Sequence, residues 1–195
     1  MLKYDLNANG EYETFPLQYG STKYTVTLYQ NVEGSKYKAK GKVAVSPKMQ
    51  DELRCYLYPN QYVNYTEKTE CVKVAADLCR DMTDQGQIFK AVHKYIVSNF
   101  QYDYIKSMTV KPGTLPDIDE CWKGKKGICQ DLSATTCAML RSQGVPARLV
   151  IGTLDASTPH AWVVAMVDGK EVFFDPTAEL ESVSRKHTYT TERWY

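Results

Sequence analysis

Lys126-Gly127-Ile128-Cys129-Gln130-Asp131 is followed downstream by Pro159-His160-Ala161-Trp162 and then by Phe174-Asp175-Pro176-Thr177. One cysteine, one histidine and one aspartate therefore occur in that order, each in a short and distinctive setting. A thiol becomes a nucleophile near neutral pH when a base lies beside it and a carboxylate orients that base. What matters is whether the local structure written into these stretches would bring the three groups together.

Residues 129–143 have the pattern of a helix. Leu132, Thr136, Met139 and Leu140 mark one face, and Ser133, Cys137 and Leu140 a small-residue edge. Gly144 stands where a C′ glycine belongs, and Pro146 blocks continuation. Cys129 then lies in the first turn, where unpaired N–H groups and the macrodipole favour an anion. The loop before it, Gly124 to Gly127, is rich in glycine and lysine, and its N–H groups are candidate oxyanion donors. Taken alone, Cys129 reads equally well as a small buried hydrophobe at a helix start, as Cys137 does in mid-helix.

The histidine and the aspartate share a predicted hairpin. Residues 161–167 read as a strand, Asp168-Gly169 as a two-residue turn and 170–175 as the returning strand. That turn pairs 167 with 170, 162 with 175 and 160 with 177. His160, Trp162 and Asp175 then share one face. Asp175 is diagonal to His160 at about 7–8 Å between backbones, within side-chain reach. The other histidines lack such company: His93 reads as a packing or surface residue on a helix, and His187 sits in a polar tail.

These motifs resemble the transglutaminase-like superfamily of papain-type cysteine enzymes. The residues that carry the likeness are Gly127-Ile128-Cys129-Gln130-Asp131-Leu132-Ser133-Ala134 and the run from Met139 to Arg148, then His160-Ala161-Trp162 and Asp175-Pro176-Thr177. The resemblance implies a catalytic triad of Cys129 as nucleophile, His160 as base and acid, and Asp175 as orienter. It also implies an α+β fold in which a nucleophile helix packs on an antiparallel β-sheet. Tyr58 to Val63 and Tyr102-Asp103-Tyr104 are similar to small bacterial members, often surface-attached, which implies an extracellular or cell-surface location. Leu132-Ser133 departs from the family, where an aromatic residue followed by alanine is more typical. Some members stabilise the oxyanion with an aromatic side chain; Tyr102, Tyr104 and Trp122 are the candidates here.

The 195 residues suffice for one well-packed core with a small appended module. We expect a β-rich N-terminal extension over 1–65 and the catalytic domain over 66–195. Strands are predicted at 24–29 and 37–45, with a further extended segment at 53–63, covering or extending the main sheet and exposing many of the 15 tyrosines. Helices are predicted at 69–82 and from Asp84, with 107–122 as a loop bordering the site. A net charge of +1 argues against a nucleic-acid partner bound by bulk electrostatics. The basic run Lys123 to Lys126 could favour an acidic substrate, although such runs are more often solvated loops. No apolar run approaches the roughly 20 residues that span a bilayer. Met1 is followed by polar sequence, as expected of a form that begins after signal removal. The six cysteines have no zinc-site spacing, and a bridge from Cys55 or Cys121 to a helix cysteine is compatible with secretion. No metal or cofactor is expected.

The expected chemistry is cysteine-dependent acyl transfer on carboxamide or amide bonds of a protein or peptide substrate through a thioester, with the acceptor left open and a primary amine as one candidate. Two alternatives stand beside it: a cysteine peptidase or amidase that uses water, and a non-catalytic binding module for peptides or the cell surface.

Overall fold

The computed structural model describes residues 2–7, 10, 13–181 and 186–195; Met1, on which the expectation of signal removal rested, lies outside them. In chain order the strands are β1 (Tyr24–Glu33), β2 (Lys36–Val45), β3 (Gln101–Tyr102), β4 (Lys126–Gly127), β5 (Ala147–Leu154), β6 (Thr158–Val167), β7 (Lys170–Phe174) and β8 (Tyr189–Trp194). The helices are α1 (Glu70–Leu78), α2 (Gln85–Asn99), α3 (Tyr104–Thr109), α4 (Ile118–Gly124), α5 (Cys129–Ser142) and α6 (Pro176–Leu180).

The main sheet grows from the Asp168-Gly169 turn. Both residues have positive φ, 50° and 75°, as a two-residue type I′ connection requires. Strands β6 and β7 pair from Val167 with Lys170 to Val163 with Phe174, the register the turn dictates. Strand β6 begins earlier than the sequence pattern suggested and so contains His160. Two strands that the pattern did not reveal complete an antiparallel sheet of order β7-β6-β5-β8.

Helix α5 crosses this sheet at the centre of the protein. Every residue from Asp131 to Arg141 is buried, so the one-sided helix expected from the apolar spacing is covered all round. It tolerates this because its hydroxyls are satisfied locally. Thr135 and Thr136 donate to the carbonyls of Asp131 and Leu132, each at 2.8 Å, and Ser133 donates to the Ala161 carbonyl of β6 at 3.3 Å. Arg141 is buried as well. Its guanidinium donates to the carbonyls of Ala147 (2.9 Å), Tyr58 (2.8 Å) and Tyr195 (2.8 Å), tying three distant segments to one side chain. Leu132, Met139, Leu140, Val92, Ile96, Leu149 and Val163 fill the core between sheet and helices. Asp84 caps α2, accepting from the Gln87 N–H at 2.7 Å.

Four expectations are corrected. Strands β1 and β2 form their own two-stranded sheet, exposed on both faces, and neither cover nor extend the main one. The side of β5 away from β6 is taken by β8. The segment 53–63 is not extended throughout: Arg54–Leu57 is a 3-10 turn, and the Asn60 side chain accepts from the N–H groups of Tyr62 and Val63 at 2.9 and 3.0 Å. The predicted loop 107–122 is helical at both ends, in α3 and α4, leaving 110–117 as the true connection. The six cysteines are free thiols, with no bridge from Cys55 or Cys121.

Candidate active site

Cys129 is the first residue of α5, and the chain before it is held on both sides. The short strand β3 pairs in parallel with β4, aligning Gln101 with Lys126 and Tyr102 with Gly127. The Asp103 N–H donates to the Gly127 carbonyl at 3.0 Å. From inside the helix, Asp131 reaches back with Oδ2 to accept the Ile128 N–H at 3.1 Å, and with Oδ1 to accept the Asp117 N–H at 3.1 Å. Lys106 Nζ lies 2.9 Å from the same Oδ2. These contacts hold the fully buried carboxylate in place, and it pins the turn on which the thiol sits. Burial opposes charge on Lys106, but its pairing with Asp131 outweighs this and raises its pKa. Gly127 is required there: a Cβ would lie 2.8 Å from both Asp131 Cβ and Cys121 Sγ.

His160 and Asp175 meet as the hairpin register requires. His160 Nε2 lies 2.8 Å from Asp175 Oδ2. Asp175 ends the returning strand and caps α6, with Oδ1 accepting the N–H groups of Thr177 and Ala178 at 3.0 and 3.2 Å. The Cys129 thiol lies close enough to the His160 ring to raise its pKa. With Nε2 engaged by Asp175, the nitrogen left to it is Nδ1. Trp162, almost wholly buried, stacks beside the imidazole with ring centres 6.3 Å apart. Burial of His160 disfavours its charged form, but the hydrogen bond to Asp175 and the neighbouring Cys129 outweigh it and push the imidazole up to about 9. Burial likewise opposes charge on Asp175, and the contact with His160 overcomes it and lowers the carboxyl below its ordinary range.

The three aromatic candidates part ways. Tyr102 is half-buried beside the Gly127 turn; its phenol is pushed up by burial and then by the nearby Cys129. Tyr104 is exposed and donates to Glu181 Oε1 at 2.7 Å. Trp122 stacks on Tyr95, with centres 5.6 Å apart, and faces the core helices. Two lysines of the basic run are engaged by residues outside it: Lys125 Nζ lies 3.2 Å from the Trp122 ring centre, and Lys126 Nζ lies 3.2 Å from Asp103 Oδ2. His93 pairs with Glu179 at 2.8 Å and His187 with Asp155 at 3.0 Å, both apart from Cys129.

Sequence reasoning did not single out Asp131, Lys106 or Tyr189, whose hydroxyl donates to Asp175 Oδ2 at 2.8 Å. Asp131 carried a usable signal, since an acidic residue three positions after the N-cap can close back on it. Lys106 and Tyr189 reach the site only through the tertiary fold.

A cysteine at a helix start, set against a histidine–aspartate pair on an antiparallel sheet, defines a papain-type α+β arrangement. The family model of the transglutaminase-like superfamily matches residues 72–176, more than half of the chain, and the chain belongs to that superfamily. No curated protein matches the chain. Its fold is similar to that of a proposed cysteine protease from Cytophaga hutchinsonii, at 16% identity and a TM-score of 0.53, over 75% of this chain and 55% of that one. It is also similar to the periplasmic domain of TgpA from Pseudomonas aeruginosa, at 17% identity and a TM-score of 0.53, over 72% of this chain and 54% of that one. The matched part thus spans little more than half the length of either structure.

Proposed function

We propose that this chain is a cysteine-dependent acyltransferase acting on peptide or protein carboxamides, with Cys129 as nucleophile, His160 as acid and base, and Asp175 as orienter. The observation that carries this reading is the His160 ring, held by Asp175 at 2.8 Å through Nε2 and raised in pKa by the neighbouring Cys129 thiol. The Cys129 thiolate attacks the carbonyl carbon, forming the C–S bond as the carbonyl π electrons move to oxygen. Collapse of that intermediate breaks the C–N bond, and the His160 imidazolium gives its proton to the departing amine. The thioester no longer carries the thiolate charge that helped to raise His160. Having given up its proton, the ring stays neutral and is free to take a proton from the incoming acceptor. Tyr102, beside the Gly127 turn, is our choice for the side chain that donates to the oxyanion.

A primary amine as acceptor gives a new amide, and water gives a free acid. The second outcome is favoured by the likeness in fold to a proposed cysteine protease. Incubation of a glutamine-containing peptide with and without a primary amine separates them by mass spectrometry. The amide adduct is the expected product; release of free acid or a cut backbone, with no adduct, would make the protein a hydrolase. We also propose that it works outside the cytoplasm, a reading supported by the likeness to a periplasmic domain. Among the described residues no helix is long and apolar enough to cross a membrane.

The pH dependence has a definite sign. The His160 pKa is raised from 6.5 to about 9, so folding favours its protonated form. That contribution to stability is complete below pH 6.5 and is lost as pH rises through 9. The rate of acyl-enzyme formation is expected to fall over the same upper range, as the leaving amine loses its acid. A rate that keeps rising past pH 10 in single-turnover measurements would remove His160 from that role.

A further inference from the structure

We infer that Tyr189 is a positioning residue for Asp175, so that the last strand of the sheet completes the site. The inference rests on the acyl-transfer reading above. Tyr189 lies beyond residues 72–176, the part matched by the superfamily.

The geometry at Asp175 is closed on every side. Oδ1 accepts two backbone N–H groups of α6, from Thr177 and Ala178. Oδ2 is shared by His160 Nε2 and the Tyr189 hydroxyl, each at 2.8 Å. A carboxylate offers about four lone-pair directions, and here all four are taken. It cannot rotate without breaking several hydrogen bonds at once. The phenol is itself fixed: its ring lies 5.2 Å from Trp162, 4.8 Å from Phe173 and 6.3 Å from His160, centre to centre.

The strands explain how Tyr189 arrives there. Gly152 of β5 is paired on one side with His160 and on the other with Thr191. Tyr189 is two residues from Thr191 and points to the same face as His160. Burial and then the Asp175 charge push the phenol far above its usual range, so it stays a donor at every working pH. A second donor on Oδ2 spreads the carboxylate charge and holds its pKa down, so that Asp175 remains the anion of the pair. The titratable groups around the pair are His160 and, through it, Cys129, with Asp155 on the Tyr189 side. On the α2–α6 side His93 and Glu179 pair with each other.

Tyr189→Phe tests this because it keeps the ring and removes only the hydroxyl. Iodoacetamide alkylation of Cys129, followed across pH by peptide mass spectrometry, is expected to show its acid limb moved up by about one pH unit, the worth of one hydrogen bond to a charged group. The His160 imidazole, followed by NMR, is expected to titrate at a higher pH than in the unsubstituted protein, because charge is again concentrated on Oδ2. An alkylation profile that superimposes on the original, or falls equally at all pH values, would assign Tyr189 to packing alone and overturn the inference. The NMR titration needs no thiol chemistry. Should Cys129 of the unsubstituted protein react no faster than Cys55, the acyl-transfer reading falls by itself; Tyr189 is then judged by the imidazole titration, where no shift or a downward one overturns it.

Discussion

Cys129→Ala is expected to abolish thioester formation while leaving the fold in place. The side chain is half-buried at the first turn of α5, and the turn is held by Asp131, Lys106 and the β3–β4 pair rather than by the thiol. Loss of the nucleophile is expected to lower turnover by about 10⁴-fold or more, leaving only what binding and polarisation contribute. The same substitution removes one of the groups that raise His160, so the imidazole should titrate below its present value of about 9. In the unsubstituted protein, Cys129 should be the one thiol that iodoacetamide labels rapidly near neutral pH. Burial pushes Cys71, Cys121 and Cys137 up to about 12, and raises Cys79 and Cys55 as well. Peptide mapping after brief alkylation decides the matter. Labelling of Cys55 ahead of Cys129, together with an activity that survives Cys129→Ala, would leave a binding module in place of an enzyme.

Gly152→Ala is expected to give the largest structural effect of a single methyl group in this chain. A Cβ at Gly152 would lie 2.0 Å from the Thr190 carbonyl oxygen and 2.9 Å from Trp162 Cη2. The first is a backbone atom of the neighbouring strand and cannot rotate away. Either β8 separates from β5 or β5 shifts against β6; each displaces Tyr189, Trp162 or His160. We expect a loss of about 3 kcal/mol, which for a chain of this size lowers the thermal midpoint by roughly 6–12 °C. Faster amide exchange in β5 and β8, and weaker Cys129 alkylation, should accompany it. An unchanged midpoint would mean that the sheet absorbs the methyl group and that the close approach is dispensable.

These two positions differ in how far they could be read in advance. Cys129 announced itself through local rules: a helix pattern, a closing Gly144 and Pro146, and a loop leading in. The contact between His160 and Asp175 followed from the Asp168-Gly169 turn, because a two-residue connection sets every later pair in the ladder. Gly152 carried no such mark. Strand β5 lacks a turn chemistry that would fix its partners, and its neighbour β8 lies more than thirty residues away. The same holds for Arg141, visible in the sequence as a helix residue but not as the donor to three separate carbonyls. The N-terminal strands were legible as strands and not as a separate sheet, since strand pattern says nothing about which edge is free.

By itself, then, the sequence determined the α+β class, the helix that begins at Cys129, the hairpin register and the two side chains that register brings together. Each follows from contacts a few residues apart, where backbone geometry leaves little choice. Only the tertiary structure decided the strand order, the burial of α5 on all sides, the anchoring of the Cys129 turn by Asp131 and Lys106, and the approach of Tyr189 to Asp175. Those depend on packing between segments far apart in the chain, for which many arrangements satisfy the local rules and burial of the whole core selects one.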